Sequence, residues 1–103
     1  MSVELQSSGD LEILCAERRA EPGATLTLVF RALDDSSPPY ALKIRGPGGK
    51  VLLERVLREL PTGRPQSAPA VSFPAAVAGV YAIELKELYG KLRGEATLTL
   101  TVG

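Results

Sequence analysis

The sequence predicts an all-β protein, a sandwich of about seven antiparallel strands in two sheets. Three observations carry this. Apolar and polar residues alternate with period two in TLTLVFRAL (25–33), YALKIR (40–45), GVYAIELKEL (79–88) and EATLTLTV (95–102), the pattern of half-buried strands. Turn chemistry rich in Pro, Gly, Asp and Ser separates these runs at short, regular intervals, as in a sandwich or barrel. The chain has 103 residues with 45% hydrophobic and 23% charged residues, ordinary globular values. One domain spanning 1–103 is expected, with 1–9 as a flexible lead.

Each element follows from its residues. LEILCAE (11–17) is the first strand, and Pro22-Gly23 turns the chain. In the second strand, Leu26, Leu28, Phe30 and Ala32 share one face, and Thr27, Val29 and Arg31 the other. DDSSPP (34–39) is a loop of side chains that bond their own backbone, followed by two prolines. Tyr40, Leu42 and Ile44 then oppose Ala41, Lys43 and Arg45. GPGG (46–49) closes a hairpin, with Pro47 presetting φ and Gly48 free to take the positive φ of a type II turn.

KVLLERVLREL (50–60) carries two periods. Leu53, Val56, Leu57 and Leu60 fit a short helix, supported by Glu54–Arg58 and Arg55–Glu59 pairs. A hairpin turn wants a second strand after it, and an eleven-residue helix is marginal without packing, so a strand is expected. PTGRPQSAP (61–69) is a loop, and AVSFPA (70–75) is a short strand whose Pro74 suits a sheet edge. Strand 79–88, turn YGKLRG (89–94) and strand 95–102 complete the chain. The expected core is Leu26, Leu28, Phe30, Leu42, Ile44, Phe73, Tyr81, Ile83, Leu85, Leu98 and Leu100.

Composition narrows the chemistry. Twelve basic and twelve acidic residues cancel, whereas a dedicated nucleic-acid binder carries a basic excess. With no histidine, a Cys–His pair, a Ser–His triad and a His-ligated metal are excluded. Cys15 is the single cysteine and reads as a small buried hydrophobe. No run reaches the ~20 apolar residues of a helical membrane span. The N-terminal residues lack the pattern of a signal peptide, so the expectation is either a cytoplasmic protein or a segment excised from a larger surface or secreted one.

Three stretches resemble a known family. PGATLTLVFRAL looks like the second strand of bacterial immunoglobulin-like and fibronectin type III-like modules. LKIRGPGGKVLLERVL looks like their third and fourth strands, with a hairpin also similar to that of macroglobulin-type modules. SFPAAVAGVYAIEL looks like the Gly-x-Tyr start of their sixth strand. The resemblance covers about residues 10–103 and implies an immunoglobulin-like sandwich. The chain lacks the third-strand tryptophan and the cysteine pair of antibody domains, which points to the looser bacterial or fibronectin-like variety. The resemblance also implies that Tyr81 lies against the core with its hydroxyl bonded to nearby backbone.

GPGGK lacks the spacing and terminal hydroxyl of a phosphate loop and joins two strands, so it reads as a hairpin turn. Asp34-Asp35 lacks the D-x-D-x-D-G pattern of a calcium loop and reads as an acidic turn. Lys43, Arg45, Lys50, Arg55 and Arg58 lie on one hairpin with Glu54 and Glu59 interleaved, an ordinary mixed surface. In a fibronectin-like topology, loops 34–40, 61–67 and 88–94 gather at one end. They would bring Asp35, Tyr40, Arg64, Tyr89, Lys91 and Arg93 together as a binding surface.

The expected function is non-catalytic, without cofactor or metal: a structural or protein-interaction module of a larger bacterial surface or secreted assembly. Neighbouring domains or a protein partner would complete it, and the long apolar fourth strand could pair with another copy as an edge-strand homodimer. The alternative is an accessory carbohydrate- or ligand-binding domain attached to an enzyme.

Overall fold

The computed structural model describes residues 2–8, 11–32, 39–58, 70–88 and 94–103. Among these residues eight strands form: β1 (Ser2–Ser8), β2 (Leu11–Cys15), β3 (Ala24–Ala32), β4 (Tyr40–Arg45), β5 (Val51–Leu57), β6 (Ala70–Ala75), β7 (Gly79–Glu87) and β8 (Glu95–Val102). They build a five-stranded sheet in the order β1-β8-β7-β4-β5 and a three-stranded sheet in the order β2-β3-β6. Every pairing is antiparallel. The fold is an all-β sandwich.

The alternation read from the sequence sets the faces. On β3, Leu26, Leu28 and Phe30 are buried. They oppose Tyr40, Leu42 and Ile44 of β4, Tyr81, Ile83 and Leu85 of β7, and Ala96, Leu98, Leu100 and Val102 of β8 in one core. All eleven expected core residues are buried, and Leu11, Ile13, Tyr40, Val71, Ala75, Ala96 and Val102 join them. Register fixes these faces, because a one-residue slip would turn each strand's apolar set outward.

Two expectations need correction. Within the lead expected to be flexible, Ser2–Ser8 pairs along β8 from Ser2 opposite Thr101 to Ser8 opposite Glu95, and residues 1 and 9 lie outside the described residues. The β8 edge supplies a full row of backbone partners, so the strand forms with little burial and Val3 and Leu5 remain exposed. This adds an eighth strand to the expected seven. The first expected strand, 11–17, ends at Cys15. Beyond it Glu17 reaches back to β3, and both its carboxylate oxygens accept the Thr27 N–H at 3.0 Å. A side chain thus takes the place of the next backbone acceptor in the ladder.

The hairpin between β4 and β5 forms as its turn chemistry requires. Gly48 adopts φ 80°, ψ 3°, the third position of a type II turn, and the Gly49 N–H donates to the Gly46 carbonyl at 3.0 Å. The ambiguous segment 50–60 is a strand over Val51–Leu57, and residues 59 and 60 lie outside the described residues. The register shifts between Ile44 and Arg45, so the strand carries a local irregularity beside the turn. Pro74 sits on β6, an edge of the three-stranded sheet, opposite Thr25, where its missing N–H costs little.

Candidate functional site

The outer face of the five-stranded sheet is mixed charge, as expected for its hairpin. Lys43 stands between Glu84 of β7 and Glu54 of β5 in register and pairs with Glu54 at 3.1 Å. Arg45 pairs with Glu84 at 3.7 Å and Lys86 with Glu95 at 3.7 Å. Exposed pairs of this kind contribute about 0–1 kcal/mol each, so they order the surface more than they stabilise the fold.

Of the six residues expected to form a binding surface, Tyr40 is described. Its ring is 1% exposed and belongs to the core beside Leu42 and Ile44. Period two placed it there, since Tyr40 shares the inward phase of β4. Asp35, Arg64, Tyr89, Lys91 and Arg93 lie outside the described residues, as does Asp34. The strand ends that flank residues 33–38 and 89–93 share one end of the sandwich: Leu11 lies opposite Ala32, Tyr40 opposite both Leu57 and Glu87, and Lys86 opposite Glu95.

At that end the sequence reading passed over Glu87, which is 5% exposed. Continuing the alternation Tyr81, Ile83, Leu85 by one step turns Glu87 inward, and that was the available signal. Its backbone N–H donates to the Gly94 carbonyl at 2.9 Å, and the Gly94 N–H approaches its carboxylate at 3.4 Å. The buried carboxylate therefore braces the connection between β7 and β8.

The opposite end holds a different feature. A cavity of about 370 Å³ opens between the β4–β5 turn, the first half of β5, the second half of β6 and the approach to β7. Pro47, Leu52, Leu53, Phe73, Val77 and Tyr81 supply most of its walls, and Lys50 and Ser72 are its polar side chains. The reason for the opening is visible in burial along neighbouring strands. Tyr40 and Ile44 of β4 are fully covered, while Leu57 and Leu53, their register partners on β5, are only half-buried. The three-stranded sheet therefore covers β4 and leaves β5 overhanging.

Tyr81 forms the floor. Its hydroxyl donates to the Val77 carbonyl at 2.6 Å and receives the Val77 N–H at 3.3 Å. Its ring stands 5.8 Å from that of Phe73, tilted by 46°, a favourable aromatic arrangement. The hydroxyl is thus engaged with backbone, as the resemblance implied. Gly79 sits just before it at φ 141°, and a Cβ there would lie 2.6 Å from Cγ of Pro47. The hairpin turn therefore packs directly on the start of β7.

The overhanging strand is the exposed apolar surface of this region. Val51 is 42% exposed, Leu52 43% and Val56 58%, and the side of β5 away from β4 pairs with no other described strand. Among the described residues no group of three His, Cys, Asp or Glu side chains is placed to hold a metal ion. No helix among them is long and apolar enough to cross a membrane. Cys15 is half-buried, and burial pushes its thiol upward in pKa, the direction of an unreactive cysteine. Chemically, the arrangement offers an open backbone ladder with apolar side chains beside an apolar cleft. No family model matches the chain, and no curated protein and no solved structure matches it.

Proposed function

We propose that this chain is a non-catalytic immunoglobulin-like module of the fibronectin type III-like variety, and that it serves as a structural or protein-interaction part of a larger bacterial surface or secreted assembly. Apart from β1, the strand order is three strands facing four, β2-β3-β6 against β8-β7-β4-β5. That order supports the resemblance, together with the Gly79-x-Tyr81 start of β7 and its hydroxyl-to-backbone bond. The observation that carries the function is the β5 edge, which pairs with no other described strand, with Val51, Leu52 and Val56 exposed. An uncovered strand edge recruits another strand through its unpaired backbone groups.

The test is a photo-crosslinking residue placed at Val56, compared with the same residue at Val80. Val80 is equally apolar and exposed but lies on β7, an interior strand. Protein adducts at 56 and none at 80 support the reading, whether the adduct is another protein or this chain itself. Adducts at neither position, or equally at both, overturn it.

The second reading, an accessory ligand-binding domain, is favoured by the cleft beside β5. Its walls are mostly apolar, with Lys50, Ser72 and the backbone-bonded Tyr81 hydroxyl as polar side-chain groups, which suits an apolar group better than a sugar's hydroxyls. An apolar fluorescent probe that binds the wild type and is lost on Leu52→Arg would support it. Equal binding to both proteins removes it.

A further inference from the structure

We propose that β5 pairs antiparallel with β5 of a second copy of this chain, about a two-fold axis through Val56, to make one continuous sheet across the two copies. This rests on the interaction-module reading and names its partner.

The register follows from the faces of the strand. In β5, Leu53, Arg55 and Leu57 lie opposite the inward residues Ile44, Leu42 and Tyr40, whereas Glu54 and Val56 lie opposite the outward residues Lys43 and Ala41. A two-fold perpendicular to the sheet keeps both inner faces on one side, so inward residues must meet inward ones and outward must meet outward. Few registers remain. An axis through Glu54 sets two carboxylates face to face, and one through Arg55 sets two guanidiniums face to face; like charges directly opposite are destabilising. An axis through Leu53 sets Leu52 against Glu54. An axis through Leu57 sets Val56 against Arg58.

An axis through Val56 sets no like charges opposite one another and pairs the outer-face charges with their opposites. It sets Val56 on Val56 of the second copy, the most exposed large apolar side chain of the strand against itself. It also sets Glu54 opposite Arg58 of the second copy, twice by symmetry. On the outer face the charges already alternate across the sheet, Glu84 on β7, Lys43 on β4 and Glu54 on β5, and Arg58 of the second copy continues that order. Arg55 falls opposite Leu57 of the second copy on the inner side. An inward charge on an edge strand ordinarily discourages pairing. Here that side of β5 overhangs the smaller sheet and both Arg55 and Arg58 are exposed, so the guanidinium keeps its water while its stem lies along the leucine. Among the described residues, five from each copy make a small contact, and the association is weak and concentration-dependent.

Sedimentation equilibrium of the whole chain tests this, with far-UV circular dichroism as the control for folding. Wild type should self-associate as concentration rises through the micromolar to millimolar range. Glu54→Arg alone and Arg58→Glu alone should each stay monomeric, because each sets like charges opposite one another. Mixed in equal amounts, the two variants should associate again, since each arginine then meets a glutamate of the other chain. Val56→Lys should also be monomeric. A wild type that is monomeric throughout, single variants that associate as wild type does, or a mixture that stays monomeric would each overturn the inference. If the wild type is monomeric while crosslinks at 56 still capture another protein, self-pairing falls and the interaction reading stands. If crosslinks at 56 are absent as well, both fall.

Discussion

Replacing Tyr81 with phenylalanine removes one oxygen and leaves the ring. The hydroxyl makes two contacts, donating to the Val77 carbonyl at 2.6 Å and accepting its N–H at 3.3 Å. The short bond carries most of the effect, because the second is long. A net intramolecular hydrogen bond contributes about 1 kcal/mol, and stranding a buried partner costs about 1–3 kcal/mol. Val77 is exposed, so water can reach its freed backbone groups, and the expected loss is about 1 kcal/mol. With a urea m-value of about 1–1.5 kcal/mol/M, the midpoint falls by about 0.7–1 M while m stays constant. Thermal unfolding should fall by about 4–8 °C for a domain of this size. Tyr81→Leu should lose more, since it also abolishes the ring contact with Phe73, for which about 0.5–1.5 kcal/mol beyond area burial is expected. An unchanged midpoint in Tyr81→Phe would refute the reasoning, and so would Tyr81→Leu matching Tyr81→Phe.

Two further outcomes are expected. Gly79→Ala should destabilise by about 1–3 kcal/mol, the usual range for a strained backbone or an overpacked site, because the new methyl meets the Pro47 ring at a φ that L-residues avoid; urea unfolding measures it, and a wild-type midpoint contradicts it. The Thr27 N–H holds the Glu17 carboxyl below its ordinary pKa. This contribution is therefore fully present above the unfolded glutamate pKa near ~4.3 and is lost as pH falls through the lower folded value. Glu17→Gln should be less stable than wild type at pH 7, with the gap closing as pH drops from about 5 toward 2; urea midpoints across that range show it, and a gap independent of pH removes the charge from the explanation.

The legible part of the fold was the part where burial and backbone pairing agree. Leu26, Leu28 and Phe30 face inward because their strand is covered on one side, and period two records that directly. Ser2–Ser8 escaped because β1 is held by the ladder to β8 and buries little, so Val3 and Leu5 leave no core signature. Segment 50–60 looked helical for a related reason: an overhanging edge strand keeps apolar residues on both faces, which blurs alternation, and the Pro47–Gly48 turn decided the matter. Tyr40 was readable as a core residue from its phase with Leu42 and Ile44, yet its closeness to a loop also suggested a surface role. The cleft beside β5 had no sequence signal, because it depends on how far one sheet extends past the other. Glu87 had one, in the phase of Leu85, masked by its charge.

The Pro47 ring occupies the space that a side chain at position 79 would need. The two residues are far apart in sequence, yet a side chain at 79 cannot be added without regard to position 47. Trimming position 47 would relieve part of the penalty of a methyl at 79, while the backbone strain at φ 141° would remain. Substitution costs at neighbours that share space do not add. The pair therefore acts as a conditional constraint on sequence drift: what position 79 tolerates depends in part on position 47, and the hairpin turn and the start of β7 would be expected to vary together.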